Sequence, residues 1–286
     1  MERGKKYQRK RKLKDALVYG LMALSLLAVI SFLFFILAYI LKSAAGYLDL
    51  SFIFRSAREG GIFPMVITTL YVVLVSLVIS LPVGIMTAIF LNEYAVNSGS
   101  IRLLRLAIET LAGIPSILYG LFGLLLFCRF FKLGQSIISG ALTLSIMILP
   151  VIIRTTEEAL KSIPGSFREG SLSLGATKFQ TIFHVIIPEA LPGIITAVIL
   201  GIGRIVGESA PVLLTVGITT NLPRSIFESG RTLTIHLYYL TKEAIRPEDF
   251  GIAFATAGTL IFLVVIINTA TKLISGGLQK GKGKEG

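Results

Sequence analysis

Long apolar stretches without a charged residue constrain this chain more than any other feature of its sequence. Four of them are clear, and they cover residues 16–41, 61–91, 133–153 and 250–271. About 20 consecutive apolar residues cross the hydrocarbon core of a membrane as an α-helix. The composition agrees, because 53% of the 286 residues are hydrophobic, 15% are charged and the mean hydropathy is +0.80, values outside the range of soluble domains. These stretches predict an all-α, polytopic membrane protein.

Two further stretches raise the predicted number of transmembrane helices to six. Residues 110–128 are nearly as long, whereas residues 185–219 are apolar but carry Glu189, Arg204 and Glu208 and three prolines. The first run, of 26 residues, is too long for a signal peptide, whose apolar region has about 15 residues at most. We therefore expect it to be retained as an anchor. The predicted parts are a basic N-terminal segment (residues 1–15) and a first transmembrane helix (16–41). A permease-like core of five transmembrane helices (61–274) and a basic tail (275–286) follow.

The positive charge lies mainly in segments that flank apolar runs, rather than in a groove for nucleic acid. Lys and Arg number 28 against 16 Asp and Glu, and eight basic residues fall between Arg3 and Lys14. An N-terminus in the cytoplasm puts 18 basic residues in inner segments and nine in outer ones, which is the bias expected of cytoplasmic loops. We therefore expect a protein of the cytoplasmic membrane, with both termini and residues 154–184 in the cytoplasm and no nucleic-acid partner.

The sequence lacks the residues of a catalytic, redox or metal site. Its one cysteine, Cys128, lies in an apolar run, and the two histidines, His184 and His236, are far apart, so neither a disulfide nor a local metal site is expected. The string Gly276–Gly283 has the glycine and lysine spacing of a phosphate-binding loop, but it ends in Gly instead of Ser or Thr. Neither a Gly-x-Ser-x-Gly nor a His-Glu-x-x-His motif occurs. We expect no catalytic residue and no cofactor in this chain.

The polar segment 154–184 reads as two short helices. Ser166, with Glu169 three residues later, has the spacing of a capping box, and Gly175 is expected to end the first helix. A second helix from Ala176 carries an apolar stripe at three- and four-residue spacing. The stripe consists of Phe179, Ile182, Phe183 and Ile186. Either a protein partner or membrane lipid at the inner leaflet would cover it.

The same segment resembles the cytoplasmic loop of the permease subunits of ABC importers. That loop carries Glu-Ala-Ala, three residues, Gly, nine residues and Ile-x-Leu-Pro. Here Glu169, Gly170 and Ser171 are followed by Gly175 and, after nine residues, by an apolar triplet and Pro188; Gly170 and Ser171 replace two alanines. The resemblance implies the type I permease fold of ABC importers, with these five residues in coupling helices that dock on cytoplasmic ABC ATPase subunits. ATP and Mg would be bound by that ATPase.

The fifth predicted span resembles the phosphate-importer permeases, which carry a similar Gly-x-x-Arg-x-x-Gly-Glu-x-x-Pro string. Here the string consists of Gly201, Arg204, Gly207, Glu208 and Pro211. The resemblance implies import of inorganic phosphate with a second, homologous permease subunit and an extracytoplasmic phosphate-binding protein. The alternatives are a permease for sulfate or molybdate and a membrane scaffold that transports nothing. A scaffold gains nothing from charges that cost about 2.5–3.5 kcal/mol each at a helix centre.

Three charged residues are candidates for the substrate pathway. Arg204 and Glu208 are four residues apart and would share one face of a helix, where the guanidinium could leave the acid to donate two parallel hydrogen bonds to an oxyanion. A purely structural salt bridge is the alternative. Arg154, at the end of the fourth span, is either a second oxyanion contact or a positive-inside anchor. The outer segment 221–249 is either a re-entrant gate or a docking surface for a binding protein.

Overall fold

The computed structural model describes the backbone of residues 2–95 and 98–282 and the side chains of residues 12, 14–95, 98–246 and 248–273. Helices and their connections make up these ranges, in which no β-strand occurs. Among these helices, five are long and apolar enough to cross a membrane, and a sharply bent helix pair makes six if it is counted as one span. The predicted all-α fold of a polytopic membrane protein is confirmed, with five or six apolar spans against the six predicted.

Some of the α-helices continue directly into π-helical turns, and the bounds below are those of the α-helical parts. The helices are α1 (Glu2–Ala44), α2 (Leu50–Phe54), α3 (Phe63–Ile89), α4 (Gly99–Ala112), α5 (Ser116–Gly123), α6 (Ile137–Lys161), α7 (Gly165–Ser173), α8 (Lys178–Thr181), α9 (Ile187–Gly207), α10 (Ala210–Thr215), α11 (Leu233–Glu243) and α12 (Pro247–Lys282). The π-helical turns are Phe90–Tyr94, Leu124–Phe130 and Ile182–Ile186. We call the end of the bundle that carries residues 154–184 the loop end and the other the opposite end.

The contact between α3 and α6, which run in the same direction, forms the centre of the bundle. The Ser76 hydroxyl donates to the carbonyl of Ala141 at 3.3 Å, and the Ser145 hydroxyl donates to the carbonyl of Ser76 at 3.0 Å. Two turns further along, a Cβ added to Gly84 would lie 2.6 Å from Cγ2 of Ile152. Small residues and interhelical hydrogen bonds hold helices together in membranes, where apolar burial alone does not. These residues therefore set how closely α3 and α6 approach.

Helix α9 completes the centre by packing across α3 and α6. Its residues Ile202 and Ile205 are 1% and 3% exposed, and they join one buried cluster with Leu144 and Ile148 of α6. Nearer the loop end, Gly193 of α9 lies directly against Ala159. One face of α9 therefore packs against the core along most of its length.

The third transmembrane segment differs from the predicted span of residues 110–128. The chain breaks at residues 113–115, where α4 and the helical segment Ser116–Phe130 meet at 101°. Proline disfavours helical backbone at the residue before it, so Pro115 ends α4. The start of the predicted span therefore belongs to a separate amphipathic helix, which packs on α6 through Ile108.

The fifth predicted span, residues 185–219, is not one helix. A helix runs without interruption from Lys178 to Gly207, and the short α10 follows after a break. Pro211 explains the break, because it cannot donate to the carbonyl of Gly207 and its ring would clash with that carbonyl. The membrane helix thus begins inside the loop and ends before the predicted span does.

The first transmembrane helix lies apart from the core. Helix α1 continues through the predicted basic segment, and its most apolar part is not buried within this chain. Its described contacts with α12 lie near its C-terminal end, where the Tyr39 ring packs edge-on against Phe254 with centroids 5.5 Å apart and Ala44 is fully buried. The remaining apolar surface of α1 is available to lipid or to a partner subunit.

The close approach of α3 and α6 predicts that Gly84→Val destabilises the protein. Ile152 is fully buried and branched at Cβ, so it has little freedom to move away, and overpacking of this kind costs about 1–3 kcal/mol. The melting temperature of the purified protein in detergent should fall. Gly20→Val is the control, because an added Cβ at Gly20 meets nothing within 4 Å among the described residues. Equal melting temperatures for the two variants would contradict this account of the α3–α6 contact.

Candidate functional site

The break after α9 brings the two charged residues of the predicted substrate pathway together. Arg204 lies in the last turn of α9, and Glu208 follows the helix with extended backbone at ψ 134°. The expectation that both share one face of a continuous helix is wrong, since the helix ends between them. Their side chains still meet, with Nε of Arg204 3.9 Å from Oε1 of Glu208. At this distance the two are an ion pair without a direct hydrogen bond.

Arg204 lies at mid-depth in the bundle. A Cβ added to Gly201, one turn earlier, would lie 3.7 Å from Cδ2 of Leu77 and 3.9 Å from Cδ1 of Ile148, and these residues are near the centres of α3 and α6. Non-helical backbone at membrane depth is tolerated where it is buried in protein or lines a cavity. Discontinuous helices of this kind form binding sites near the midplane of many transporters.

The guanidinium of Arg204 is on the face of α9 that this chain leaves open. Gly203 and Gly207 flank it, and an added Cβ at either meets nothing within 4 Å among the described residues. The Arg204 side chain is 39% exposed and that of Glu208 is 17% exposed, whereas Ile205 on the other face is buried. Arg204 therefore faces away from the core of its own chain, and within the described ranges its guanidinium donates no hydrogen bond.

Arg154 is not part of the same cluster. Its Nη2 lies 3.1 Å from Oε1 of Glu109, and both side chains are about half exposed. Ile148 of α6 lies at the same depth as Gly201 of α9. Arg154 is six residues from Ile148 toward the loop end, and Arg204 is three residues from Gly201 toward the opposite end. At a rise of 1.5 Å per residue, the two arginines are separated by about 14 Å along the bundle.

The loop has the two predicted helices, but their start signals differ. Helix α7 begins after Pro164, and the Ser166 side chain does not cap it, so the predicted capping box is wrong. A capping box is present at α8 instead, where the Thr177 hydroxyl accepts from the Gln180 amide at 3.2 Å and the Gln180 side chain accepts from the Thr177 amide at 2.8 Å. Gly175 separates the helices at φ +84°, a left-handed conformation that favours glycine, which is the break that was predicted.

The apolar stripe on the second helix is covered partly by this chain. Ile182 and Ile186 are 1% and 0% exposed and belong to a buried cluster with residues of α3, α4 and α6. Phe179 remains 60% exposed and contacts the ring of Phe183, with centroids 4.4 Å apart and ring planes tilted by 33°. The expectation that a partner or lipid covers the whole stripe is therefore too broad.

The other predicted loop residues lie beside an exposed apolar surface. Glu169 and Gly170 are exposed on α7, the Ser171 hydroxyl lies 2.9 Å from that of Thr181, and Pro188 follows the π-helical turn at the start of α9. The exposed apolar side chains of the loop are Phe167, Leu172, Leu174 and Phe179. Leu174 is 91% exposed, and several exposed apolar side chains on one loop are typical of a surface that contacts a protein or a membrane.

Two ion pairs at the loop end, each with a buried carboxylate and a partly exposed arginine, were not predicted. Arg168 of α7 contacts Glu93 with Nη2 2.8 Å from Oε1, and Arg105 of α4 contacts Glu157 of α6 at 2.5 Å. The two residues of the first pair are 75 positions apart in the sequence, and those of the second pair are 52 apart. Arg168 is one of the basic residues of the polar segment 154–184, and no local sequence pattern identifies its partner.

Comparison with known proteins agrees with this architecture. The family model for the binding-protein-dependent transport system inner membrane component matches residues 80–280. The chain is 33% identical over 279 residues to the probable ABC transporter permease protein YqgI of Bacillus subtilis, covering 92% of this chain and 95% of that protein. It is 37% identical over 217 residues to the phosphate transport system permease protein PstA 1 of Mycobacterium tuberculosis, covering 75% of this chain and 70% of that protein.

A solved structure shows the same fold. A chain of a bacterial alginate ABC transporter superimposes with a TM-score of 0.69 at 16% identity, over 93% of this chain and 96% of that one. The family match includes both the loop and the helix break at Arg204. The protein therefore belongs to the binding-protein-dependent transport system inner membrane components, and it is a membrane-spanning permease subunit of an ABC importer.

Proposed function

We propose that this permease subunit moves inorganic phosphate across the cytoplasmic membrane into the cell. The observation that carries the proposal is the position of Arg204 at mid-depth, beside a helix break and on an open face of α9. Within the described residues, its guanidinium donates no hydrogen bond. The similarity to a phosphate transport system permease over three quarters of the chain supports the same substrate.

The chemistry of Arg204 suits an oxyanion. Its planar fork donates two parallel hydrogen bonds to two oxygens, which a lysine ammonium does not. Glu208 offsets part of the cost of placing this charge in the membrane, and at 3.9 Å it leaves the donors of Arg204 available. Arg154 would act nearer the loop end, as a second contact or as an anchor.

The pathway would be completed by a second, homologous permease subunit. The Arg204 face of α9 lies open, flanked by glycines that permit close approach of another helix. Sulfate or molybdate would accept hydrogen bonds from the same donors, so a permease for either anion differs from the proposed one only in its substrate. A scaffold without transport activity is disfavoured by the charged residues at mid-depth.

The loop would receive the ATPase subunits that bind ATP and Mg, since this chain is expected to hold no cofactor. Glu169, Gly170 and Ser171 lie on α7, and Gly175 gives the turn that presents Leu174. Pro188 lies in the first turn of α9, the part of the continuous helix that leads from the loop to Arg204. Exposed apolar side chains on a pair of short helices suit docking into a protein groove, and we assign these residues to coupling.

The proposal places both termini and the loop in the cytoplasm and the opposite end outside. An extracytoplasmic phosphate-binding protein would then dock at the opposite end, where residues 221–249 include α11. The Thr234 hydroxyl in α11 donates to the carbonyl of Val206 at 2.8 Å, so the outer segment contacts α9 two residues from Arg204. This contact favours a gating role for the segment.

The orientation is tested by single cysteines at Ser166 and Asn221 in a Cys128→Ser background. An impermeant thiol reagent applied to intact cells should label position 221, whereas position 166 should react only after the membrane is opened. Both native side chains are exposed, so access to the reagent depends on the side of the membrane. The reverse pattern would reject the orientation.

Gly175→Leu should leave the protein inserted but lower transport. The left-handed backbone costs a non-glycine residue about 1–2 kcal/mol, and the added side chain would project toward the docked ATPase. The amount of ATPase that co-purifies with this chain should fall, together with phosphate uptake. Gly99→Leu is the control, because Gly99 lies at the same end in ordinary helical backbone with open space around it. Normal uptake by Gly175→Leu would refute the assigned role of the turn.

Arg204→Lys should keep membrane insertion and subunit assembly but lose most phosphate uptake. A hydrogen bond to a charged group contributes about 1.5–3 kcal/mol, so loss of one of the two bonds predicts a decrease of about tenfold or more. The decrease is measured as uptake of radiolabelled phosphate by the reconstituted complex. The control is Arg102→Lys, which changes an exposed arginine of α4. Near-normal flux in Arg204→Lys would leave a structural salt bridge as the better account. Competition by sulfate or molybdate stronger than by unlabelled phosphate would reassign the substrate.

A further inference from the structure

Arg168 is the side chain that joins α7 to the membrane helices. We propose that it is a positioning residue that makes α7 move as one body with the loop-end termini of α3 and α6, so that movement of a docked ATPase reaches the transmembrane bundle. This inference rests on the proposed coupling function of the loop, and it assigns the transmission to one arginine and its carboxylate partner.

The first half of the connection is a partly buried ion pair with the end of α3. Nε of Arg168 lies 3.2 and 3.3 Å from the two carboxylate oxygens of Glu93, and Nη2 lies 2.8 Å from Oε1. The Glu93 side chain is 7% exposed and that of Arg168 is 24% exposed. Asn92 donates a further hydrogen bond to Glu93 at 2.7 Å. Charge-assisted hydrogen bonds shielded from water are strong and directional, so this contact resists rotation as well as separation.

The second half is a connection to the end of α6. Nη1 of Arg168 donates to the carbonyl of Ile163 at 3.1 Å, and Nη2 donates to the carbonyl of Leu160 at 3.0 Å. Helix α6 ends at Lys161, and the last carbonyls of a helix have no partner within it. A positive charge at this position also interacts favourably with the helix dipole. Arg168 thus closes α6 and holds α3 beside it.

Apart from Arg168 and the turn after Lys161, the described contacts of α7 are mainly with α8 and the π-helical turn Ile182–Ile186 rather than with α3 and α6. None of its nine residues, all of which the structure describes, is buried, so α7 has no apolar anchor of its own. Its hydrogen bond from Ser171 to Thr181 at 2.9 Å joins it to α8, the other helix of the loop. Because α8 begins the continuous helix Lys178–Gly207, a force applied to α7 reaches that helix through Ser171, whereas it reaches α3 and α6 through Arg168 and the short turn after Lys161. Without Arg168, α7 could tilt on that turn while the loop-end termini of α3 and α6 stay where they are.

A merely structural ion pair and a transmitting one differ in what their loss affects. Loss of a structural pair lowers folding or assembly, so ATPase binding, ATP hydrolysis and transport fall together. Loss of a transmitting pair leaves binding and hydrolysis in place and lowers the amount of substrate moved for each ATP consumed. The ratio of transport to hydrolysis therefore distinguishes them.

The test uses the full complex, purified through a tag on this chain and reconstituted in liposomes. In Arg168→Met and in Glu93→Gln, the yield of co-purified ATPase and the rate of ATP hydrolysis should stay near wild type, while phosphate moved per ATP falls by about tenfold. Arg102→Met is the matched control and should keep the wild-type ratio. An unchanged ratio in Arg168→Met overturns the proposal, and so does a parallel loss of ATPase binding, hydrolysis and transport.

A reversible cross-link gives an independent readout. In a Cys128→Ser background, the double variant Glu93→Cys/Arg168→Cys should be uncoupled, and a bifunctional methanethiosulfonate that links the two cysteines should restore the ratio until a reductant removes it. No recovery on linking would also overturn the proposal. Failure of the proposed function is distinguishable, because the unmodified chain itself would then bind no ATPase or move no phosphate.

Discussion

The close packing of α3 against α6 is the contact on which the rest of the structure depends. The hydroxyls of Ser76 and Ser145 and the absence of a side chain at Gly84 allow the two backbones to approach where water contributes no hydrophobic driving force. Helix α9 then packs across both, and the ends of α3 and α6 supply the carboxylate and the carbonyls that hold Arg168. A change in the α3–α6 distance would therefore reach the helix break and the loop together.

The sequence analysis located the transmembrane segments because apolar length is a direct consequence of membrane thickness. The break between α4 and α5 was not predicted, since residues on both sides of it are apolar and hydropathy does not report direction. Pro115 was the available signal there, whereas Pro211 does mark a bend in the fifth span. Proline also occurs inside intact helices of this chain, as Pro82, Pro150 and Pro192 do, so its presence alone does not distinguish a break from a tolerated residue.

The candidate site was predicted in part. Arg204 and Glu208 stood out because charges in an apolar stretch are costly, and the structure brings them together in a geometry that helical spacing did not foresee. Gly175 was predicted to end a helix and does so with a positive φ. The ion pairs of Arg168 and Arg105 were not predictable, because each joins residues more than 50 positions apart and only the tertiary fold brings them into contact.

The uninterrupted helix from Lys178 to Gly207 has a mechanical consequence. Its 30 residues form a rod of about 45 Å that reaches from the loop to the arginine at mid-depth. The tight contact of Gly193 with Ala159 would serve as a fulcrum, with about 22 Å of rod on the loop side and about 16 Å on the side of Arg204. A tilt of about 10° about this point displaces the arginine by about 3 Å, which is the difference between making a hydrogen bond and losing it. In the proposed mechanism, a small rotation at the loop would therefore be sufficient to change the contacts of Arg204.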